Sequence, residues 1–165
     1  MKIEYNSIVI VHTPFKNLNK IPNQPSLGEG TKGVVEVYPT FQKGLKDLDG
    51  FSHIILLCHF HGISEYNLNI VPSGETKSRG LFATRSPKRP NPIDFSVVRL
   101  NEIQENRLMI SDLDILDGTP VLDIKPYVGK GVYKCTKKIH RSQLLTHPIL
   151  RVKVMDKTAV SKRRI

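Results

Sequence analysis

Phe51-Ser-His-Ile-Ile-Leu-Leu-Cys-His-Phe60 sets the reading of the whole chain. Its centre, Ile54 to Cys58, is the longest uninterrupted apolar run, at five residues. A spanning helix needs about 20 apolar residues, so this segment predicts a short strand buried on both faces. The surrounding sequence has the same texture. Ile3 to Val11 is β-rich, and Gly33 to Tyr38 alternates and stops at Pro39. Further strands are expected at Leu81 to Thr84, Ser96 to Ile103, Leu108 to Ser111, Val121 to Lys125 and Leu150 to Met155. Helical signals are confined to two short stretches, Phe41 to Leu48 and Ile139 to Leu145, and no 3.6-residue periodicity persists over 12 residues. Many short strands and 11 prolines predict a mostly β fold, a small antiparallel β-barrel or a sandwich with few short helices. A chain of 165 residues suits one domain. We expect residues 1–150 to form it and 151–165 to be a basic C-terminal strand and tail.

With 39% hydrophobic and 24% charged residues, the composition is that of a globular protein. No apolar stretch follows a basic cluster at the N-terminus, and only two cysteines, Cys58 and Cys135, are present. The expectation is a cytoplasmic chain without a disulfide framework. The net charge of +10 is localised. Residues 1–120 hold 13 basic and 13 acidic side chains, whereas 121–165 hold 12 basic and only two acidic, Asp123 and Asp156. Such a one-sided field attracts polyanions, of which nucleic acid is the commonest, and a solubility tail explains the charge equally well.

Two long loops are expected, residues 12–32 and 62–79, both rich in Pro and Gly. Within the first, Gly28-Glu-Gly-Thr-Lys-Gly33 fits G-x-G-x-x-G. A Pro-rich loop precedes it and a β-branched run follows, so the strand–turn–helix context of a dinucleotide site is missing, and with it a Rossmann fold. His53, Cys58, His59 and His61 suggest a metal until the strand is laid out. His53 and His59 then stand roughly 20 Å apart, so no metal is expected. His61, before Gly62, is the one placed to line a pocket. A Ser-His-Asp triad has no nucleophile elbow to support it.

The densest segment is Gly80-Leu-Phe-Ala-Thr-Arg-Ser-Pro-Lys-Arg-Pro-Asn-Pro-Ile93. Prolines at 87, 90 and 92 fix φ and restrict the residues before them, so Arg85, Lys88, Arg89 and Asn91 are presented with little entropy left to lose. Arginine forks suit carboxylates and phosphates, and Asn91 offers a donor and an acceptor to a base edge. A second segment, Asp112-Leu-Asp114-Ile-Leu-Asp117-Gly-Thr-Pro, gathers three acids at a turn. Asp117 before Gly118 fits turn capping, which leaves Asp114 as a ligand candidate.

At these segments the chain resembles the TrmO-type (TsaA-like) tRNA methyltransferases. The matching stretches are His12-Thr-Pro-Phe15, Gln24-Pro-Ser-Leu27, Gly44 to His53, Gly80 to Ile93 and Leu113 to Tyr127, in the family's order and spacing. The resemblance implies a small β-barrel, a homodimer, S-adenosylmethionine as methyl donor and tRNA as partner. The acceptor it implies is N6 of threonylcarbamoyladenosine at position 37, beside the anticodon. Carried over by position, the cofactor pocket comprises Gln24, Pro25, Ser26, Leu27, His61, Gly62, Arg85, Phe95, Ser111, Asp112, Leu113 and Asp114. Arg85, Asp114 and His61 are the candidate catalytic groups. Lys88, Arg89 and Asn91 are candidate RNA contacts, as are Lys153, Lys157, Lys162, Arg163 and Arg164 on the basic tail. One departure matters most: Asp94-Phe95 stand where the family usually has Gly and then Leu or Met. A non-catalytic RNA-binding barrel and a methyltransferase for another small acceptor are the competing readings.

Overall fold

The computed structural model describes residues 2–18, 21, 30–72 and 74–128. The expected helix at 139–145, the strand at 150–155, the 150/151 boundary and the whole basic tail lie outside the described residues. Six strands close into an antiparallel barrel in the order β1-β2-β7-β6-β3-β8. They are β1 Val9–His12, β2 Lys32–Val37, β3 His53–His59, β6 Ile93–Gln104, β7 Arg107–Ser111 and β8 Thr119–Pro126. A two-stranded pair, β4 Asn69–Ile70 with β5 Arg79–Gly80, lies in the long β3–β6 connection. Short 3-10 turns occupy Pro39–Leu45, Leu48–Gly50 and Leu81–Ala83.

Closure puts one face of every strand inside. The β3 run therefore alternates instead of being buried on both faces: Ile54, Leu56 and Cys58 are buried, and the residues between them are half-buried. Val9, Val11, Val35, Val37, Val98, Leu108, Ile110 and Val121 complete the interior with them. β-branched and leucine side chains filling a narrow barrel account for the choice of residues here. Strand β1 is shorter than the expected 3–11. It pairs with β2 from Val9↔Val37, and beyond Val37 the partner turns into Pro39, which has no N–H to offer a ladder. The expected strand at 81–84 is a 3-10 turn closed by the Thr84 N–H and hydroxyl, both donating to the Leu81 carbonyl.

Because neighbouring strands alternate in direction, the connections separate by end. The β1–β2, β3–β6 and β7–β8 connections, residues 13–31, 60–92 and 112–118, all open at the end where β1, β3 and β7 finish. The β6–β7 hairpin and the 3-10 turns between β2 and β3 close the other end. The proline-stiffened segment 80–92 and the acid-rich turn 112–118 are therefore carried to one mouth of the barrel.

The glycine pattern at 28–33 has a packing explanation in its last member. A Cβ at Gly33, in β2, would lie 2.8 Å from the His12 carbonyl oxygen and 2.8 Å from Leu113 Cδ1. Gly33→Ala is expected to destabilise the fold by about 1–3 kcal/mol, read from urea unfolding, because a backbone atom must give way. Wild-type stability would show that the β1–β2 spacing is not limiting.

Candidate active site at the barrel mouth

On β6 the side chains of Ser96, Val98 and Leu100 point into the core, so by the two-residue period Asp94 faces the interior and Phe95 the outer surface. Across the ladder Asp94 pairs with Cys58 and Phe95 with Leu57. Asp94 thus stands at the inner rim of the mouth, above the apolar core. The Ser96 hydroxyl, 3% exposed, is 2.6 Å from Asp94 Oδ2 and 3.3 Å from Asp114 Oδ1. One buried hydroxyl therefore joins two carboxylates whose residues are 20 positions apart in sequence.

Burial pushes the Asp114 carboxyl above the usual carboxylate range, and the negative charge of Asp94 pushes it further. The Ser96 hydrogen bond, the Asp114 backbone N–H and the positive charge of Arg85 pull the other way. Arg85 is thus close enough to act on Asp114 from the proline-stiffened loop, while its own side chain remains exposed. Cys58, beneath them, is 1% exposed. Burial, and then Asp94 and Asp114, raise its thiol far beyond its usual range, so it stays protonated at neutral pH and is no nucleophile.

The turn 111–114 is split by the barrel wall. Asp112, at φ 64°, accepts from the Gly30 N–H at 2.9 Å and from Arg99 Nε at 3.0 Å. These bonds, with the Gly30 N–H first, hold its carboxyl below the usual range. Leu113 is fully buried in the core, an anchor worth about 1.5–3 kcal/mol that fixes the two acids on either side of it. Asp114 turns to Ser96. Ser111 is 7% exposed and 3.4 Å from Asn101 Oδ1. Of the cofactor candidates, then, Asp114 reaches the mouth and Arg85 stands exposed in the loop that opens there, whereas Leu113 and Ser111 lie beneath it. Phe95 faces outward. His61 and Gly62 are exposed just past β3, beside the Phe60 N–H to Pro92 carbonyl bond. Gln24, Pro25, Ser26 and Leu27 lie outside the described residues, as do Lys153, Lys157, Lys162, Arg163 and Arg164.

Lys88 and Asn91 are exposed. Arg89 is committed locally: Nη1 donates to the Thr84 carbonyl at 2.9 Å, and the guanidinium lies 5.6 Å from the Phe82 ring centroid. Asp117 is structural, as its position before Gly118 suggested, but it caps a neighbouring segment. Its Oδ1 accepts from the Thr13 N–H at 2.9 Å and its Oδ2 pairs with Lys16 Nζ at 2.6 Å. Lys16, then the Thr13 N–H, hold its carboxyl below the usual range. A folded value below the unfolded one adds stability above the unfolded value of about 4, lost as pH falls through the folded value. Asp117→Ala should cost about 1–3 kcal/mol by orphaning the Thr13 N–H, since Thr13 is 6% exposed. Asp117→Asn keeps that acceptor and should cost less, since Lys16 is an exposed partner. Equal losses for the two variants would contradict the capping role.

The sequence reading missed Ser96 and left open whether Asp94 faces the cofactor. Only the residue alternation 94, 96, 98, 100 signalled the inward face. Among the described residues, no group of three or more His, Cys, Asp or Glu is arranged to hold a metal, and no helix is long and apolar enough to cross a membrane.

Three kinds of comparison agree on the family. A probable S-adenosyl-L-methionine-binding protein of Pyrococcus abyssi is 52% identical over 128 residues, 78% of this chain and 70% of that protein. An S-adenosyl-L-methionine-binding protein of Archaeoglobus fulgidus is 42% identical over 73% of this chain and 86% of its own length. The tRNA (adenine(37)-N6)-methyltransferase of Escherichia coli is 34% identical over 76% of this chain and 57% of its length. Among solved structures, TrmO from Pseudomonas aeruginosa superposes with a TM-score of 0.65 at 38% identity, over 79% of this chain and 58% of that one. A second TrmO crystal structure gives 0.67 at 40% identity, over 79% and 60%. The chain thus spans less than two thirds of the E. coli relative and of either crystallised TrmO chain. The model of the tRNA-methyltransferase O N-terminal domain matches residues 10–131, and the chain belongs to that family.

Proposed function

We propose that this protein is an S-adenosylmethionine-dependent tRNA methyltransferase acting on N6 of threonylcarbamoyladenosine at position 37, working as a cytoplasmic homodimer. The observation that carries the reading is the Asp94–Ser96–Asp114 cluster at the barrel mouth with Arg85 acting on it from the stiff loop. The donor set fits the cofactor. Two carboxylates kept apart by a single hydroxyl suit a sulfonium cation, and a guanidinium suits an amino-acid carboxylate. The relatives named as S-adenosyl-L-methionine-binding proteins support the same assignment.

When bound, S-adenosylmethionine supplies an electrophilic methyl group. The remaining work falls to the protein. The acceptor nitrogen is a weak nucleophile, because its lone pair is delocalised into the purine and the carbamoyl carbonyl. Holding it in line is worth up to about 7–11 kcal/mol. As the N–C bond forms the nitrogen must lose its proton, and in this reading Asp114 takes it. A carboxylate raised above its usual range is a stronger base than an ordinary one. Asp94 maintains that raised affinity by repulsion. Arg85 binds a carboxylate, that of the cofactor or the threonyl group of the substrate. His61, exposed at the rim, is the second candidate for proton transfer.

Transfer of a labelled methyl group to tRNA, followed by nucleoside mass spectrometry, tests the assignment. Methyl appearing only on the threonylcarbamoylated adenosine 37 is expected, with none on tRNA lacking that modification. Methyl elsewhere in the tRNA, or on a small molecule alone, would replace it with the small-acceptor reading.

A further inference from the structure

Phe82 is a large apolar side chain left in the open. It is 74% exposed, while its neighbour Leu81 is 1% exposed and anchors the same turn. The loop around it is rigid. Thr84 donates to the Leu81 carbonyl through both N–H and Oγ1. The Ser86 N–H reaches Thr84 Oγ1 at 3.3 Å, and the Lys88 N–H reaches Ser86 Oγ at 3.3 Å. Arg89, tied to the Thr84 and Ser86 carbonyls at 2.9 and 3.5 Å, lays its guanidinium 5.6 Å from the Phe82 centroid. The ring thus has a cation fixed against it and most of its surface free.

The electrostatics of this segment are one-signed. Residues 76–93 carry five basic side chains and no acid. Arg79 is paired with Glu75, whereas Arg85 and Lys88 are exposed. Phe82 lies in the β3–β6 connection, which opens at the same end of the barrel as the 112–118 turn that carries Asp114. A rigid aromatic flanked by exposed cations matches single-stranded nucleic acid, whose bases offer π faces and whose phosphates alternate with them. Packing this patch against the same patch of a second copy would set like charges facing each other.

We propose that Phe82 is a stacking platform for an unpaired nucleobase of the RNA substrate, next to the methylated adenosine, with Arg85 and Lys88 beside the flanking phosphates. The inference rests on the methyltransferase reading and names the residue that positions its substrate. Stacking a base on an aromatic side chain is worth about 5- to 150-fold in affinity by alanine substitution.

The test uses the full chain and an anticodon stem-loop RNA carrying 2-aminopurine immediately 3′ of adenosine 37. The wild type should quench the 2-aminopurine on binding. Phe82→Ala should lose the quenching and raise Kd by about 5- to 150-fold, and Phe82→Trp should restore both. The salt dependence of binding should keep its slope in Phe82→Ala and fall by about 0.7 in Lys88→Ala, since only the lysine displaces a counterion. S-adenosylmethionine affinity should be unchanged in Phe82→Ala. Wild-type RNA affinity in that variant would overturn the platform, as would a parallel loss of cofactor binding. A change of oligomer mass by sedimentation with RNA affinity intact would overturn it in favour of a subunit contact. The two readings fail separately. Quenching without methyl transfer by the wild type removes the methyltransferase and keeps the platform, whereas efficient transfer by Phe82→Ala does the reverse.

Discussion

Asp114→Asn is expected to lower kcat/KM for methyl transfer to tRNA by about 10²-fold or more while making the fold more resistant to heat at neutral pH. The two effects share one cause. Burial and the Asp94 charge raise the folded-state value of Asp114 above its unfolded value of 3.8. A raised acid favours folding in its protonated form, so its ionisation costs stability as pH rises from the unfolded value through the folded one. Above the folded value the whole cost is present, and asparagine removes it while still hydrogen-bonding to Ser96. The same shift predicts an acid limb in kcat/KM above the usual carboxylate position, where Asp114 loses its proton. Asp94→Asn removes the second-largest cause of the shift and should move that limb to lower pH. A limb that stays in place in Asp94→Asn, or an Asp114→Asn enzyme of wild-type rate, would take Asp114 out of the proton transfer.

Arg85→Ala should cut kcat/KM at least tenfold with the fold intact, because the guanidinium is exposed and its proposed role is to bind a carboxylate. It should also move the acid limb upward, opposite to Asp94→Asn, since the Arg85 charge lowers Asp114. Where the loss falls identifies the carboxylate it holds. A rise in KM for S-adenosylmethionine assigns the cofactor, and a rise in KM for tRNA assigns the threonyl group. A near-wild-type rate with an unmoved pH profile would reject both. Opposite shifts from two single substitutions are difficult to produce by unfolding, which would depress activity without regard to sign.

Local chemistry made most of the strands legible. Val34 to Val37, Leu108 to Ile110 and Val121 to Ile124 alternate or carry β-branched residues, and each lies in a strand of the barrel. The proline-stiffened loop and the acid-rich turn were legible as well, because Pro, Gly and Asp act on their own backbone. What depends on partners was not. Ile54 to Cys58 looks buried on both faces because all five residues are apolar, and only barrel closure tells inside from outside. Ile3 to Ser7 has strand composition without a strand partner past Val37. The joining of Asp94 and Asp114 through Ser96 depends on the course of the chain from β6 through β7 into the following turn, a long-range outcome that no spacing rule encodes. Asp94 itself was visible as a departure from the family pattern. Its consequence, a second carboxylate at the inner rim, needed the inward phase of β6.

The central claim is that the barrel mouth, with Asp94 in it, binds the methyl donor. Calorimetric titration of S-adenosylmethionine into the purified full chain, with no tRNA present, tests it most directly. The account predicts saturable, micromolar binding that Arg85→Ala weakens and that Asp94→Gly, which restores the family's usual residue, does not improve. No binding by the wild type, with binding recovered in Asp94→Gly, would show that Asp94 closes the mouth to the cofactor and would contradict the account.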